Sequence, residues 1–537
     1  MDKFSLFIKN LKDKLFGRKR EQEEKPRPSH HVYKESAPKS VKPIQPVSPE
    51  SVPKTIRPIQ SVSEEPTLKY EEPVQPVSKD IVTKSEKPTR TAVKPRDPYF
   101  VQIGFDFGTS FSKCICRDLM TNRAWVYLSP SSGGEELPFL IPSVVLLRDG
   151  MLNHLASCRA QYPSGGLYHV KNALVKLATE QWHDPVLAPY RHAAGQLGAD
   201  ALSHVVENCA VYFLAGTIGT VRKHVRNSLP DFGKHSDDYM AINLAVPVAD
   251  AERPDVNELF RRLLCEAWIL SDALVDYPPI HLNLLGSLRR SYQKKIDQSV
   301  EDACFIYPEV SANVQGFVRS RVSSPGMYLF SDTGGGTVDQ SVFIFLKNDN
   351  SERLVYLAGR VLPLGSSNIE RMAAESCGSA ESLDVWRERK ERGDNNSAIY
   401  SAREKISQQL RQETEATLSC THKKLYLKDQ LEEMRIIFGG GGHCKFPYQD
   451  AVIRPFSGQL FRRNVKPDLV GLPVPKDLDI KDTEARWMRR LSVAYGLSFE
   501  RSELARFTYP KDVSNPTPEE LSQYRKPAVD AIGKDQC

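Results

Sequence analysis

The chain has 537 residues, of which 40% are hydrophobic and 26% are charged, a composition typical of a globular protein with room for more than one domain. Residues 1–97 carry 21 Lys+Arg and 14 Asp+Glu, whereas the remaining residues carry 52 and 53, so the net charge of +6 comes from the N-terminal region. The neutral remainder gives no support for a nucleic-acid-binding face, and no nucleic-acid partner is expected.

Cysteine spacing and hydropathy predict the compartment. The ten cysteines include no CxxC pair, and the close pair Cys114 and Cys116 fits an apolar strand. We therefore expect free thiols in a reducing compartment rather than a zinc or disulfide framework. No apolar run reaches the roughly 18 residues of a membrane span, and Lys9, Lys12 and Asp13 interrupt the first apolar stretch, unlike a secretory signal. The predicted localisation is cytoplasmic.

The first 20 residues predict a basic amphipathic helix that ends near Gly17. Lysines and arginines surround one apolar face with helical spacing. That face consists of Phe4, Phe7, Ile8, Leu11 and Leu15. Three interpretations remain open: peripheral contact with the inner face of an anionic membrane, docking into the groove of a protein partner, or packing against the domain that follows.

Residues 21–97 predict a disordered tether. They contain thirteen prolines and no glycine, and they offer too little apolar surface to compensate the entropy of folding. A repeated Pro-Ile/Val-Gln motif places its prolines at Pro43, Pro58 and Pro73. We interpret the repeat as an extended spacer, with repeated partner-binding motifs as the alternative.

From about Asp97 onward, apolar strand patterns alternate with amphipathic helix patterns, which predicts an α/β fold. The predicted strands are Phe100–Asp106, Ser143–Leu147, Ala241–Val246, Met327–Ser331, Ser341–Phe345 and Met434–Phe438. The predicted helices are Ala201–Val225, Val256–Val275, Ser397–Leu410 and Glu484–Tyr495.

The first of three glycine-rich loops follows the earliest of these strands. The strand ends at Asp106, and Gly108, Thr109 and Ser110 form a tight turn. Because glycine has no Cβ, backbone N–H groups can approach phosphate oxygens there, and a hydroxyl adds a donor. A carboxylate beside them suits a magnesium ion that keeps several waters.

The second loop repeats this design, because a strand ends at Asp332 and is followed by Gly334, Gly335, Gly336 and Thr337. The third has four consecutive glycines after another strand, where we expect a base and sugar to approach. An isolated loop of this kind is most often a hairpin, and none matches GxxxxGK[ST] or GxGxxG. In combination they indicate two related lobes that grip one nucleotide.

The three loops together resemble the phosphate-1, phosphate-2 and adenosine motifs of the actin, sugar-kinase and 70-kDa heat-shock ATPase superfamily. They are most similar to the heat-shock branch: residues 104–112 resemble GIDLGTTNS and residues 332–339 resemble DLGGGTFD. The resemblance implies a two-lobed actin-like ATPase built from two ribonuclease H-like domains. Lobe I would span 98–325 and lobe II 326–510, followed by a C-terminal tail at 511–537.

Weaker matches lie between the loops and imply further site residues. Residues 170–174 resemble the segment with the family's catalytic lysine, which would be Lys171. Residues 307–312 resemble NEPTAA, which places Glu309 at the metal-linked glutamate. Residues 364–366 resemble the LGG turn.

The adenosine side follows from two more matches. Residues 402–407 resemble ERAKRTL, which makes Lys405 the adenosine-contacting lysine, although Ala402 replaces the family's glutamate. Gly441, Gly442 and Lys445 fall in a segment similar to GGSTRIP, where Lys445 replaces a stacking arginine. We therefore expect a looser or differently selective adenine site.

The sequence departs from the family pattern at two further places. Val310 replaces the proline of NEPTAA, and Pro278–Asp302 has the character of an insertion. The chain ends about forty residues after the last predicted helix, so we expect neither the family's peptide-binding domain nor its helical lid.

The resemblance implies the chemistry of a magnesium-dependent ATPase that binds ATP and ADP. Asp106, Glu309 and Asp332 would hold hydrated Mg²⁺, and Lys171 would position water or stabilise charge. Thr109, Thr337 and the glycine N–H groups would stabilise the transferred phosphoryl group. Asp339 is expected to orient its loop.

Three functions fit these expectations. The first is a chaperone-like ATPase whose nucleotide state switches the binding of an unknown protein partner or client. The second is an actin-like filament-forming ATPase tethered to a membrane through residues 1–20. The third is a small-molecule kinase, for which the sequence offers no recognisable sugar site.

Overall fold

The computed structural model describes residues 96–513, apart from short internal gaps at 130–136, 155–165, 198–200, 247–252, 321–322, 349–350, 379–380, 382, 426–427, 444–445, 459–460, 462–464 and 505. All described residues belong to one compact unit. The predicted helix at 1–20, nearly all of the predicted tether at 21–97 and the predicted tail beyond Val513 lie outside the described residues.

The described residues form a mixed α/β structure, as predicted. Its strands are β1 (Phe100–Asp106), β2 (Phe111–Asp118), β3 (Arg123–Val126), β4 (Ile141–Pro142), β5 (Val145–Arg148), β6 (Met151–His154), β7 (Gly166–Leu167), β8 (Tyr239–Val246), β9 (Ile280–His281), β10 (Cys304–Pro308), β11 (Gly326–Thr333), β12 (Val338–Asn348), β13 (Ser351–Leu362), β14 (Arg435–Gly439), β15 (Asp468–Val470), β16 (Leu478–Asp479) and β17 (Arg506–Thr508).

Helices connect and cover these strands. They are α1 (Val170–Ala178), α2 (Ala188–Leu197), α3 (Ala201–Ser228), α4 (Pro254–Leu270), α5 (Leu282–Gln293), α6 (Gln298–Ala303), α7 (Glu309–Asn313), α8 (Gln315–Val318), α9 (Ser367–Ser376), α10 (Leu383–Arg392), α11 (Ser397–Lys424), α12 (Tyr448–Ile453) and α13 (Met488–Leu497). In the part of the chain that is described, every helix is too short or too polar to span a bilayer.

Two sheets share one internal design. In the first, the order is β10-β8-β1-β2-β3-β16, with β4 paired to β2; in the second, it is β15-β14-β11-β12-β13-β17. In the first sheet, β1, β2 and β3 form an antiparallel meander, and β8 and then β10 are added on the other side of β1, parallel to it. In the second sheet, β11, β12 and β13 form the meander, and β14 and then β15 are added parallel to β11. The first five strands of each of these two orders therefore have the same arrangement and the same directions.

A third, smaller sheet has the antiparallel order β7-β5-β6-β9. Its last strand lies in the segment Pro278–Asp302, which the sequence marked as an insertion. Arg289 of the following helix α5 donates to Glu266 of α4 and to Glu207 of α3, at 2.7 Å in each case. This segment is therefore bound into the body of the domain by a buried ion network.

The last described part of the chain returns to both sheets. β16 pairs with β3 of the first sheet, and β17 pairs with β13 of the second. The sequence assigned 326–510 to the second lobe, so the structure differs for 478–499, which lie with the first sheet. Arg117 of β2 is fully buried and holds this segment, because it donates to Asp477 at 2.5 Å and to Ser498 at 3.1 Å.

Helix α13 packs directly on the first sheet. A Cβ on Gly104 of β1 would lie under 3.0 Å from the carbonyl oxygen of Ala494, and a Cβ on Gly496 would lie under 3.0 Å from that of Ala312. Glycine is needed at both contacts because the two backbones meet without room for a side chain. The packing brings α13 close to the loops described next.

Most predicted helices and strands are confirmed, but some of them end at residues other than those that the apolar periodicity predicts. β1 has the predicted bounds, but α11 continues to Lys424, well beyond the predicted end at Leu410. The buried face of α11 continues through Thr414, Thr417 and Thr421, whose hydroxyls bond to carbonyls one turn earlier. A search for apolar spacing does not detect such a stripe, although it is buried.

Candidate functional site

The first predicted glycine loop is the turn of the β1–β2 hairpin. Asp106 ends β1, and the register pairs it with Lys113 of β2. The Gly108 N–H donates to the Asp106 carbonyl at 3.0 Å, which closes the turn. The Lys113 Nζ lies 2.5 Å from the Asp106 Oδ2 in an ion pair.

The second predicted loop is the turn of the β11–β12 hairpin, and it has the same length. Asp332 is the last residue but one of β11 and is paired with Asp339 of β12. The Gly334 N–H donates to the Thr337 carbonyl at 2.9 Å, and the Thr337 hydroxyl donates to the Asp339 Oδ2 at 3.1 Å. The two sheets therefore present equivalent hairpins, one closed by Asp and Lys and the other by Asp and Asp.

The two hairpins face each other at close range. A Cβ on Gly335 would lie under 3.0 Å from the Ser110 hydroxyl, and a Cβ on Gly336 would lie under 3.0 Å from the Thr109 side chain. Only glycine fits these positions, so the loop backbone itself lines the space between the sheets. This is the geometry in which backbone N–H groups can bind an anion.

The third predicted loop, after β14, reaches the same place. Gly440 has a positive φ of 75°, and a Cβ there would lie under 3.0 Å from the Asp332 carboxylate. Its N–H donates to the Arg489 carbonyl of α13 at 3.0 Å, and the Gly442 N–H donates to the Thr333 carbonyl at 3.1 Å. The three loops that the sequence singled out therefore converge.

A turn at 365–368 braces the second loop from behind. The N–H groups of Gly365, Ser366 and Ser367 donate to the carbonyls of residues 336, 334 and 335 at 3.2, 3.0 and 2.7 Å. The Asn368 side chain donates to the Gly336 carbonyl at 3.0 Å. This is the turn that the sequence matched to LGG. It fixes the loop because all three glycine carbonyls are held.

The loops line a cavity of about 660 Å³, a size within the usual range for small-molecule sites. Of the predicted residues, those that line it are Asp106, Gly108, Thr109, Ser110, Lys171, Glu309, Asp332, Gly334, Gly335, Thr337, Gly441 and Gly442. Gly336 packs against Thr109 at its edge.

Of the two lysines predicted on the adenosine side, only Lys405 is described by the structure. Lys405 is exposed on α11 and is not one of the cavity residues, whereas Arg403 of the same helix is. Lys445 lies outside the described residues. The helix therefore faces the cavity about half a turn away from the position that the motif match selected.

Lys171 has a defined partner in the cavity. It lies in the first turn of α1, where its Nζ donates to the Glu309 Oε2 at 2.6 Å, and its side chain is buried. Next to it, Asn172 accepts from the Thr109 hydroxyl at 3.3 Å. His169, which precedes the helix, has φ 58° and ψ 37°. This left-handed conformation is uncommon outside glycine, and it aims the start of α1 at the first hairpin.

Four carboxylates that line the cavity, those of Asp106, Glu309, Asp332 and Asp339, lie close enough to influence one another. Burial and the neighbouring Glu309 raise the pKa of Asp332 to about 7, and the same two causes raise the pKa of Asp339 well above its usual range. Burial alone would lower the pKa of Lys171, but the carboxylates of Glu309 and Asp106 raise it. Titratable groups perturbed in a cleft are typical of functional sites.

These carboxylates fit a hydrated cation better than a directly ligated one. The Oδ1 atoms of Asp106 and Asp339 are buried and have no hydrogen-bond partner among the described residues. Yet no group of three or more His, Cys, Asp or Glu in the described chain is close enough to hold a metal ion directly. Magnesium commonly keeps several waters and takes only one or two protein carboxylates, which matches this arrangement.

Several cavity residues were not identified from the sequence. Lys390 of α10 donates to the Ser366 carbonyl at 3.0 Å and pairs with the buried Glu370, which also accepts from Arg387 at 3.2 Å. Arg403 donates to the Lys390 carbonyl at 3.0 Å. The basic run of α10 was visible in the sequence, but its pattern is that of an ordinary solvated helix.

Two aromatic residues complete this end of the cavity. Phe446 is 40% exposed, and Tyr448 is buried with its hydroxyl on the Leu364 carbonyl at 3.0 Å. Both follow the third glycine loop. Phe446 and Arg403 both line the cavity, and an exposed ring offers a stacking surface for a planar ligand.

No known protein-family model matches the chain, and no curated protein matches it significantly.

Proposed function

We propose that this chain binds ATP with magnesium in the cavity and hydrolyses it, as a two-lobed actin-like ATPase of the heat-shock chaperone type. One observation supports this above the others: two sheets with the same central topology each present an Asp–glycine hairpin to the same cavity. Such a duplicated design provides two backbone cradles for one polyphosphate. The third loop supplies a wall for the nucleoside.

The triphosphate would lie between the two hairpins. The N–H groups of the glycine turns and the hydroxyls of Thr109 and Thr337 would donate to its oxygens. Asp106, Glu309 and Asp332 would hold hydrated Mg²⁺, which neutralises phosphate charge when bound. Lys171, fixed by Glu309, would stabilise charge or orient a water beside the terminal phosphate. Catalysis by this set is positioning and charge stabilisation.

The nucleoside would occupy the end lined by α10, α11 and the third loop. Phe446 and Arg403 offer a ring and a guanidinium for stacking on the base. Lys390, held by the buried Glu370, adds a fixed donor. These residues take the role that the motif match gave to Lys405, whereas the stacking role of Lys445 stays a prediction.

The output of the ATPase would be a switch. Closure of two sheets around a nucleotide changes the surface that a protein partner meets. We propose that ATP and ADP states differ in affinity for a protein partner or client. Residues 1–20 and the proline-rich tether would keep the domain near that partner or near the inner face of a membrane.

Nucleotide binding is tested by thermal unfolding of the full chain with Mg²⁺ and ATP. At a hundredfold excess over Kd, ATP should stabilise the fold by about 2.7 kcal/mol. Asp332→Asn should lose most of this gain, whereas Asp479→Asn, which alters an exposed ion pair with Arg123, should keep it. No thermal shift with any adenine nucleotide would overturn the proposal.

Hydrolysis is tested separately by phosphate release. Asp332→Asn should reduce turnover to the background rate because it removes a carboxylate from the centre of the cavity. Turnover that matches the wild type would exclude Asp332 from the mechanism, but it would not contradict the proposal that the chain binds ATP.

The alternative is an ATP-dependent filament tethered to a membrane, and the basic amphipathic pattern of residues 1–20 is the observation that favours it. Sedimentation in ATP separates the two. Pelleting that depends on ATP and on protein concentration would favour the filament, and a monodisperse monomer in ATP would favour the switch.

A further inference from the structure

Charged side chains are distributed unevenly along the cavity. Of the described residues that line it, nine are Lys or Arg and six are Asp or Glu, so the lining has a net charge of +3 when all are ionised. At the two hairpins, four carboxylates meet only two lysines, Lys113 and Lys171, for a net charge of −2. Near the end of α1 and the start of α4, Lys176, Arg253 and Asp184 add a charge of +1. The remaining charge of +4 lies at the end proposed for the nucleoside.

The nucleoside end is lined by five cationic side chains and one carboxylate among the described residues. Three helices supply them: Arg387, Lys390 and Glu391 on α10, Arg403 on α11, and Arg489 and Arg490 on α13. Below them, the buried Glu370 of α9 pairs with both Lys390 and Arg387. The charge at this end is still +3 when Glu370 is counted with the lining residues. The two carboxylates therefore neutralise fewer than half of the cationic groups.

Arg490 lies against the third glycine loop, although its helix packs on the first sheet. A Cβ on Gly441 would lie under 3.0 Å from three atoms of the Arg490 guanidinium, so this group rests on the loop backbone where residue 441 has no side chain. The preceding Arg489 accepts the Gly440 N–H with its carbonyl. Burial lowers the pKa of His443 in the same loop, and the charges of both arginines act in the same direction. The two arginines of α13 therefore place their charge at the proposed wall of the nucleoside site.

Two polar groups at this end have hydrogen-bonding capacity that the protein does not use. The Arg403 Nε and the Ser492 hydroxyl are buried, belong to residues that line the cavity, and have no hydrogen-bond partner among the described residues. Because buried polar groups are nearly always hydrogen-bonded, these two groups indicate a ligand that accepts hydrogen bonds. A guanidinium is planar, so Arg403 can donate from its edge while its face stacks on a base.

Adenosine alone does not account for these cations. The base and ribose of ATP carry no charge at neutral pH, and the proposed function places the triphosphate at the hairpins. Converging cations repel one another, and burial adds a cost for charge that is not compensated. A phosphate monoester supplies about two negative charges, and arginine binds it with paired N–H groups. A basic face that is merely solvated is the weaker explanation, because Lys390 and its partner Glu370 are buried.

We propose that the nucleoside end of the cavity binds a second phosphate group, carried on the ribose of the nucleotide. The ligand class is a nucleoside 5′-phosphate that is also phosphorylated at its 2′- or 3′-hydroxyl. Arg490 and Arg403 donate to this second phosphate, while the 5′-phosphate lies at the hairpins. The inference rests on the proposed ATP site and deepens it. Nucleotides of this class compete with ATP for the cavity.

The test is calorimetric titration of the full chain with AMP, with adenosine 2′,5′-bisphosphate and with adenosine 3′,5′-bisphosphate. The three ligands share the base, the ribose and the 5′-phosphate, so they differ only in the second phosphate. At least one bisphosphate should bind about thirtyfold or more tightly than AMP, a difference of roughly 2 kcal/mol. If neither bisphosphate binds more tightly than AMP, the inference is wrong.

Arg490→Gln should reduce this gain by about tenfold or more, because it removes charge-assisted hydrogen bonds to the second phosphate. Its Kd values for AMP and ATP should match those of the wild type, which also shows that the variant is folded. Arg490→Lys keeps the charge but not the paired donors, so it should retain part of the gain. A full gain in Arg490→Gln, or an equal loss of affinity for AMP and the bisphosphate, would overturn the inference.

Arg411→Gln is the matched control, because it also removes an arginine but at an exposed position of α11, where Arg411 pairs with Glu415 at 3.1 Å. It should bind all three ligands as the wild type does. Inorganic phosphate added together with AMP separates a ribose-bound phosphate from a free ion. AMP binding that tightens with phosphate to the bisphosphate value would contradict a phosphate carried on the ribose. Absence of ATP binding by the wild type in Mg²⁺ would instead overturn the ATP site itself.

Discussion

His154 is a buried residue outside the cavity that makes the free energy of unfolding depend on pH. Its ring stacks on Tyr277 with centroids 3.9 Å apart, and its Nε2 lies 3.0 Å from the Pro142 carbonyl. Burial lowers its pKa to about 4, below the ordinary value of about 6.5 in an unfolded chain. The unfolded state therefore binds a proton more readily than the folded state does.

We expect stability to fall as pH decreases from 6.5 towards 4. Over that window His154 contributes a loss of up to about 1.4 kcal/mol per pH unit, and none above it. His154→Phe keeps the ring but cannot be protonated, so urea unfolding at pH 7, 6 and 5 should show a shallower decline. His183→Gln, at an exposed position, should follow the wild type. An unchanged slope for His154→Phe would contradict the assignment.

Phe446 carries the second prediction at the residue scale. If its exposed ring stacks on the base, Phe446→Ala should weaken ATP binding by about 1–3 kcal/mol. Binding of inorganic triphosphate, which has no base, should be unchanged. Phe446→Tyr keeps the aromatic face and should restore ATP affinity. An equal loss for both ligands would show that Phe446 shapes the phosphate end instead.

At the scale of elements, helix α13 links the third glycine loop to the first sheet. The Arg489 carbonyl near its start accepts from Gly440, and the backbone near its end lies against Ala312. The same helix packs on β1, the strand that ends in Asp106. The helix therefore joins the third glycine loop to the first sheet through backbone contacts, of which those at Gly104 and Gly496 leave no room for a Cβ.

Gly496→Ala should destabilise the fold by about 1–3 kcal/mol, because the new methyl group overpacks against the Ala312 backbone. Gly195→Ala is the matched control: it is also a helical glycine, but a Cβ there meets nothing within 4 Å. That change should be neutral or stabilise by up to about 1 kcal/mol. Chemical unfolding of both variants measures the difference, and equal effects would show that the contact at Gly496 relaxes without strain.

Elements of the site were predictable where their signal is local. Asp106 and Asp332 each precede glycines at the end of an apolar strand, so the sequence itself places them at strand ends. Lys113 and Arg403 could not be identified this way, because their roles depend on which strand or helix face meets the cavity. The extension of α11 was missed because three threonines and only one leucine, Leu418, form its buried face.

The pairing of the two last strands, β16 and β17, could not be predicted from the sequence either. β16 and β17 are only two and three residues long, too short to show a strand period. Their partners, β3 and β13, lie far away along the chain. The structure shows why 478–499 join the first sheet: Arg117 packs on Ser498 and covers the Phe499 ring at 3.8 Å, and Asn243 of β8 donates to the Leu497 and Phe499 carbonyls at 2.8 Å.

At the scale of the whole molecule, all described residues of the proposed site belong to the unit that begins at Ala92. We therefore expect a chain lacking residues 1–91 to fold and to bind ATP with the wild-type Kd, measured by calorimetry. Loss of ATP binding in a folded deletion variant would show that the N-terminal region contributes to the site.

The same deletion tests the membrane hypothesis. The full chain should float with liposomes that contain anionic lipid, and the shortened chain should remain at the bottom of the gradient. A substitution of Phe7 and Leu11 by serine in the full chain is the sharper control, because it removes the apolar face but keeps the charge. Equal flotation of all three chains would contradict the membrane contact.

The pairing of β16 with β3 also determines how the protein is made. During translation β3 leaves the ribosome about 350 residues before its edge partner, which at roughly 5–20 residues per second is a delay on the order of 20–70 s. For that time the nascent first sheet presents an uncovered edge and a groove that α13 has yet to fill. We therefore expect the first sheet to complete its folding only after the last segment has emerged, and the exposed edge and groove to be open to aggregation until then.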